Sequence, residues 1–174
     1  MSPITHALTG WLISQPLLTR KDRMCITAAV VLPDLDGLGL LGGVEFYHEY
    51  HHTFGHNVFA AFITSFFIWL IANQKSKTAI FAFLSFHSHI IEDLLGSGAE
   101  WGIPFFWPLS KTLYTSFSPL QWELNSWQNL LATILTLVGV LWCAVRRQRT
   151  IVEVFSLAAD QKIVVTIKKR FQKN

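Results

Sequence analysis

The chain has 174 residues, enough for one domain with a core of its own. Hydrophobic residues make up 51% and charged residues only 14%, with a formal net charge of +3, whereas an average soluble domain is about a quarter charged. That balance points to a membrane protein, the alternative being an unusually apolar soluble one. Cys25 and Cys143 lie in apolar runs without a CxxC pairing, which excludes a disulfide framework and reads as two buried free thiols.

Five apolar segments follow one another. The opening MSPITHALTG lacks the basic leader of a cleaved signal peptide, so these residues, His6 among them, are expected to stay. Segment one runs from Ile4 to Thr19. Segment two, MCITAAVVL (24–32), is expected to stop at Pro33. Segment three is NVFAAFITSFFIWLIAN (57–73), segment four TAIFAFLSFHSHIIEDLL (78–95) and segment five NLLATILTLVGVLWCAV (129–145). The last three approach the ~20 residues that cross a bilayer core. All five read as helices because they are long and uninterrupted. The expected architecture is an all-α integral membrane bundle of about five segments with a metal site at one face. Residues 1–149 form the membrane-embedded domain and 150–174 a basic tail. In the tail, IVVTIKKRFQK reads either as an amphipathic helix on an anionic membrane surface or as a solvated basic stretch. No nucleic-acid partner is expected, since the tail carries no recognition motif.

The basic residues order the segments. If the segments alternate in direction, Arg20, Lys21, Arg23, Lys75, Lys77, Arg146, Arg147, Arg149 and the lysines and arginine of the tail share one side; of fourteen Lys and Arg, only Lys111 falls on the other. The positive-inside rule makes the basic side cytoplasmic, with the N-terminus outside and the C-terminus inside. The same threading brings His6, Asp34, Asp36, the cluster His48, His51, His52 and His56, and the pair His89 and Asp93 to the outer face.

These residues carry the chemistry. In LPDLDG (32–37), Asp34 and Asp36 are close enough to repel and need a cation or donors, or else one of them makes an Asx-turn. In HSHIIEDLLG (87–96), His89 and Asp93 are i and i+4 on one helix face, a spacing for two ligands of one metal, while His87 points away and Glu92 lies between faces. In HEYHHTFGHN (48–57), His52 and His56 pair if the stretch is helical; if Asn57 caps segment three, the stretch is a loop and any two of the four could converge. His6 alone is an ordinary buried histidine. Three or four imidazoles with three carboxylates suit Zn²⁺, or Mn²⁺ or Fe²⁺, and exceed one tetrahedral shell, so two or more ions are expected. Such sites activate water and clamp a phosphoryl group, with Asp34 or Asp36 as general base. Serine-hydrolase and nucleotide-loop motifs are absent. The competing readings are a non-catalytic metal-binding or transport protein and a haem protein with paired histidine ligands.

Taken in order, THALTG (5–10), LPDLD (32–36), HHTFGHN (51–57) and HIIEDLLGSGAEWGIPFFWP (89–108) resemble the membrane-bound metal-dependent hydrolases, also described as LexA-binding inner-membrane-associated hydrolases. That family is distantly similar to zinc-dependent phospholipase C and the S1/P1 nucleases. The resemblance covers roughly residues 1–110. It implies that His6, Asp34, Asp36, His51, His56, His89 and Asp93 are the metal site, and so nominates His51 with His56 where helical spacing nominates His52. The family usually reads His-Arg-Gly-x-Thr-His-Ser where this chain has HHTFGHN. His52 replaces Arg, Gly55 replaces Thr and Asn57 replaces Ser, and His52 is expected to contact an anionic substrate when protonated. The implied function is phosphoester hydrolysis, of a phospholipid or lipid-linked substrate, at the outer face of the inner membrane; His48 has no assigned role.

Overall fold

In a computed structural model, residues 1–98, 101–115 and 120–171 are described; Ala99 and Glu100 of the fourth motif and Lys173 of the tail lie outside the described residues. Among the described residues the chain is helical without strands, apart from an isolated bridge between Ile103 and Tyr114. The α-helices are α1 (Pro3–Ile13), α2 (Arg20–Val31), α3 (Val44–Tyr50), α4 (Val58–Ile71), α5 (Lys75–Gly96), α6 (Trp127–Arg147) and α7 (Leu157–Phe171). Two 3₁₀ helices, Leu32–Gly42 and Ile151–Val154, complete the secondary structure.

Side-chain caps set the starts. Ser2, with Pro3 at the first helical turn, opens α1 and accepts from the Thr5 N–H; Thr19 accepts from the Asp22 N–H to open α2; Asn57 accepts from the Ala60 N–H to open α4. Each cap satisfies a backbone donor that the helix cannot. The loop form of residues 51–57 follows from the Asn57 cap.

The α-helix stops just before Pro33, as expected, but the chain does not turn away there. Pro33 lacks the N–H that an α-helix needs, and the chain tightens into a 3₁₀ helix that carries on to Gly42. Asp34 and Asp36 therefore sit on a helical extension of α2 rather than on a turn between segments. Among the described residues, Arg20–Gly42, at 23 residues, and Trp127–Arg147, at 21, are the two helices long and apolar enough to cross a membrane, fewer than the five segments expected. The shortfall has a physical cause. At ~1.5 Å per residue, the 11 residues of α1 reach ~16 Å and the 14 of α4 ~21 Å, against ~30 Å of hydrocarbon. α5 has the length, at 22 residues, but its two histidines and its acids Glu92 and Asp93 dilute its hydropathy.

α5 lies at the centre, packed against α4, α2 and α1, while α6 rests on α1. Leu17, Ile26, Ala29, Ile68 and Ala82 join α2, α4 and α5, and Leu8, Trp11, Val140 and Cys143 join α1 to α6. Phe66, Phe67 and Leu70 of α4 and Leu130, Leu135 and Trp142 of α6 are turned outward and exposed. Outward apolar faces this extensive are what a lipid-facing helix presents.

The tail packs back onto this body. Glu153 is buried and takes a paired hydrogen bond from the Arg23 guanidinium (2.7 and 2.6 Å) and another from the Trp11 indole N–H (3.1 Å). Asp160 of α7 caps Thr150.

Candidate metal centre

The end of the bundle opposite Glu153 gathers the histidines and acids. α1 brings His6, the 3₁₀ extension of α2 brings Asp34 and Asp36, the 51–57 loop brings His51, His52 and His56, and the last turns of α5 bring His89, Glu92 and Asp93. His6, His52, His56, His89 and Asp93 are all buried.

Two glycines permit the convergence. A Cβ on Gly10 would lie 2.3 Å from Val30, so α1 crosses α2 at a glycine and brings His6 onto His89, their rings stacked 3.8 Å apart. A Cβ on Gly55 would lie 2.4 Å from the Pro33 carbonyl oxygen, so the histidine loop rests directly on the backbone of the LPDLD segment.

The hydrogen bonds fix which nitrogen of each ring faces inward. His89 donates through Nδ1 to the Val30 carbonyl (2.6 Å). His56 donates through Nδ1 to Asp36 (2.8 Å), and His6 donates through Nδ1 to Glu92 (2.6 Å). A neutral imidazole that donates through Nδ1 keeps a lone pair on Nε2. All three Nε2 atoms surround Asp93: His6 at 3.1 Å from Oδ1, His89 at 2.9 Å and His56 at 3.3 Å from Oδ2. The Nε2 atoms of His56 and His89 are themselves 3.0 Å apart. Acceptors that face one another at these distances require positive charge between them, as protons or as a metal ion. The amino group of Met1 supplies some of it, bonding Asp93 and Ser97. Asp34 Oδ2 and His52 Nδ1 are buried without a hydrogen-bond partner.

Among the described residues, two groups have ligand atoms close enough to share an ion: His6, Asp34, His89 and Asp93; and His52, His56 and Asp93. Asp93 belongs to both. The donor set of imidazole nitrogens and carboxylate oxygens suits Zn²⁺, Mn²⁺ or Fe²⁺.

The remaining expected residues take different places. Asp36 uses Oδ1 for His51 (2.7 Å) and Oδ2 for both His56 and the His52 backbone N–H (3.0 Å), so it braces the histidine loop. His51 is bound to Asp36 and stacked on Tyr47, outside both groups. His52 is buried at a positive φ of 68°, with Nε2 3.8 Å from Asp93. His56 lies in the second group, beside His52 and Asp93. His87 bonds the Phe83 carbonyl and faces an apolar hollow with Phe105 and Tyr114. His48 is exposed and stacks on Trp101.

Three contributors escape the sequence reading. Glu92 orients His6 from 86 positions away, a pairing that spacing on α5 cannot reveal. Tyr47 and Trp101 form an aromatic wall beside His51 and His52. Together with Asp34, Asp93 and Glu123 they enclose a pocket of about 410 Å³ open to solvent.

Positive charge divides unevenly among the loop histidines. Burial opposes a charge on His56, yet the hydrogen bonds to Asp36 and Asp93 prevail and raise its pKa to about 9. Burial and the neighbouring His56 charge push His52 down to about 3, leaving it a neutral imidazole.

A family model described as YdjM inner membrane protein matches residues 1–170. No curated protein and no solved structure matches the chain.

Proposed function

The chain belongs to the YdjM inner membrane protein family, and on that premise we propose that it is a membrane-bound, metal-dependent hydrolase of phosphoesters. The observation that carries the proposal is the arrangement around Asp93: three imidazoles, each held through Nδ1 by an outer acceptor, turn Nε2 toward one carboxylate at the floor of an open pocket. Outer acceptors that fix the tautomer in this way are the usual companions of metal-binding histidines. His6, Asp34, His89 and Asp93 would hold one ion, and His52, His56 and Asp93 a second. The ions, when bound, supply Lewis acidity toward a phosphoryl oxygen and lower the pKa of water.

The chain's own residues do the rest. Asp34 lines the pocket; its Oδ1, 3.6 Å from His89 Nε2, would serve the ion, and the unpartnered Oδ2 is the general base, taking a proton from the attacking water. Water adds at phosphorus, one P–O ester bond breaks, and the alcohol leaves with the proton that Asp34 took from the water. Asp36 spends both oxygens on the loop and acts as a positioning residue. Tyr47 and Trp101 wall the pocket and limit access by water. His52, neutral by its burial, contributes a nitrogen rather than a positive charge for an anionic substrate. Family membership supports placement in the inner membrane, and the distribution of Lys and Arg supports a pocket on the periplasmic side with the C-terminus in the cytoplasm.

The second reading is a metal-binding or transport protein without turnover, favoured by the depth of the same cluster. Against the haem reading, the His6 and His89 rings stack directly on one another, which leaves that pair no room for a porphyrin between them. The test is metal analysis of the purified protein with phosphodiesterase and phospholipase assays on wild type, Asp34→Ala and His89→Ala. Stoichiometric metal and hydrolysis, both lost in His89→Ala, are expected. Metal without hydrolysis leaves the binding-protein reading, and absence of metal removes both.

A further inference from the structure

We infer that the crevice between α1 and α2 receives a hydrocarbon chain of the phosphoester whose head group reaches Asp34, so that the substrate is a lipid or lipid-linked phosphoester drawn from the membrane. The inference rests on the hydrolase reading and specifies its substrate class.

The crevice is a hollow of about 480 Å³, walled by Ile4 and Ala7 of α1, Thr27 and Val31 of α2, and Phe155. Its polar groups are satisfied: the Thr27 hydroxyl donates to the Arg23 carbonyl, which leaves the wall with nothing to offer a polar ligand. Pro3 belongs to this hollow and to the pocket that contains Asp34 and Asp93, so the two share a wall. Other apolar hollows do not connect in this way. One between α2 and α4, with Cys25 and Phe67, and one beside α5, with His87 and Tyr114, share no lining residue with the pocket. Of these three hollows, the crevice alone shares a lining residue, Pro3, with the polar pocket.

The direction also fits. Val31 lines the crevice and Asp34 the pocket, three residues further along the same 23-residue candidate span. From Val31 back to Met24 the crevice follows α2 for ~10 Å, within the ~15 Å depth of one leaflet. A lipid seated with its phosphate at the end of the span and its chain descending beside α2 meets the pocket and the crevice in that order. A water-soluble phosphoester would leave the crevice without an occupant.

The test has two arms on full-length protein in nonionic detergent. In the first, phosphatidylglycerol with a diazirine on its acyl chain is crosslinked by light and the labelled peptides are mapped. Saturable labelling of 24–31 and of the segment around Phe155 is expected, reduced at least fivefold in Ala28→Trp, which fills the exposed rim of the crevice, and in Ala7→Phe, which fills its base. Labelling spread evenly over the outward faces of α4 and α6, and unchanged in both variants, overturns the inference. The second arm compares hydrolysis of phosphatidylglycerol with that of bis(4-nitrophenyl) phosphate. The ratio of lipid to soluble turnover is expected to fall at least tenfold in Ala7→Phe, since Ala7 lines the crevice and not the hollow between α2 and α4; an unchanged ratio overturns the inference. If the metal-loaded wild type cleaves neither compound, the hydrolase reading fails, and the first arm still decides whether the crevice holds a chain.

Discussion

His89 Nδ1 lies 2.6 Å from the carbonyl oxygen of Val30, and this single bond settles the character of the His89 ring. A carbonyl can only accept, so Nδ1 carries the proton and Nε2 is left to face Asp93 and His56. The carbonyl is there because α2 ends nearby: Pro33 and the 3₁₀ geometry beyond it disturb the regular helical bonding of the last turn. A proline that reads in the sequence as a segment end thus also frees an acceptor that orients a histidine 59 positions away.

Asp36 tests the distinction between holding a metal and holding a ligand. It accepts from His51, His56 and the His52 backbone and belongs to neither ligand group. Asp36→Asn is expected to weaken metal binding by about 10–100-fold, the usual effect of losing an outer partner of a ligating histidine, while the protein stays folded. Asp93→Asn, which removes the carboxylate common to both groups, is expected to cost more. Competition with a chelator of known affinity measures both. Equal losses would place Asp36 among the ligands.

The pH dependence follows from His56. Its pKa is about 9 in the folded chain against 6.5 for an ordinary histidine. A raised folded value means that protonation stabilises the metal-free fold fully below pH 6.5, and that this contribution is lost as pH rises through 9. An ion bound through Nε2 displaces the proton and has the opposite slope. Chelator-treated protein is therefore expected to melt at lower temperature as pH increases from 6.5 to 9, while the gain in Tm from added Zn²⁺ grows over the same interval. Thermal unfolding in detergent at the two ends of that range checks both. A zinc gain as large at pH 6.5 as at pH 9 would remove His56 from the ligand set.

What the sequence made legible was local. The i, i+4 relation of His89 and Asp93 held because a helix fixes it, and Asn57 capped α4 because its side chain suits that position. The choice between His51 and His52 depended on a loop whose shape is set by the Asp36 side chain and the Pro33 backbone, and no periodicity encodes either contact. Fewer helices are long enough to span than there are apolar segments, because an apolar run and the helix inside it need not have the same length. The 14 residues of α4 are apolar enough to cross and too short to do so.

Gly55 stands where the resembling family usually has Thr, and the geometry gives this departure a reason. A Cβ at this position would lie 2.4 Å from the Pro33 carbonyl oxygen and 2.9 Å from its Cα, both backbone atoms that cannot turn aside. Gly55→Ala is expected to push the loop off the LPDLD segment and destabilise the fold by about 1–3 kcal/mol, as overpacking does. Because the loop carries His52 and His56, the change is also expected to weaken binding of the second ion more than the first. Metal stoichiometry beside a melting curve reads the two effects; a fully loaded, equally stable variant would show that the loop does not depend on this contact.

At the far end of the bundle, Glu153 tests whether the tail is part of the domain or an appendage. The boundary drawn at residue 149 treats everything beyond it as a separable basic extension. Yet Glu153 is buried, receives both Nε and Nη2 of Arg23 and the Trp11 indole, and the Arg20 side chain bonds the Glu153 and Val154 carbonyls. Removing one partner of such a pair strands the other charge away from water, a cost of about 3–5 kcal/mol. Glu153→Ala is therefore expected to lower the melting temperature sharply, and truncation after Arg149 to do at least as much. Glu153→Gln, which keeps one acceptor for Trp11 or Arg23, is expected to fall between them. Metal affinity is expected to change little in the variants that fold, because His89 and Asp93 lie at the other end of α5 from this contact. A truncated protein that melts with the wild type would make the tail the separable extension after all.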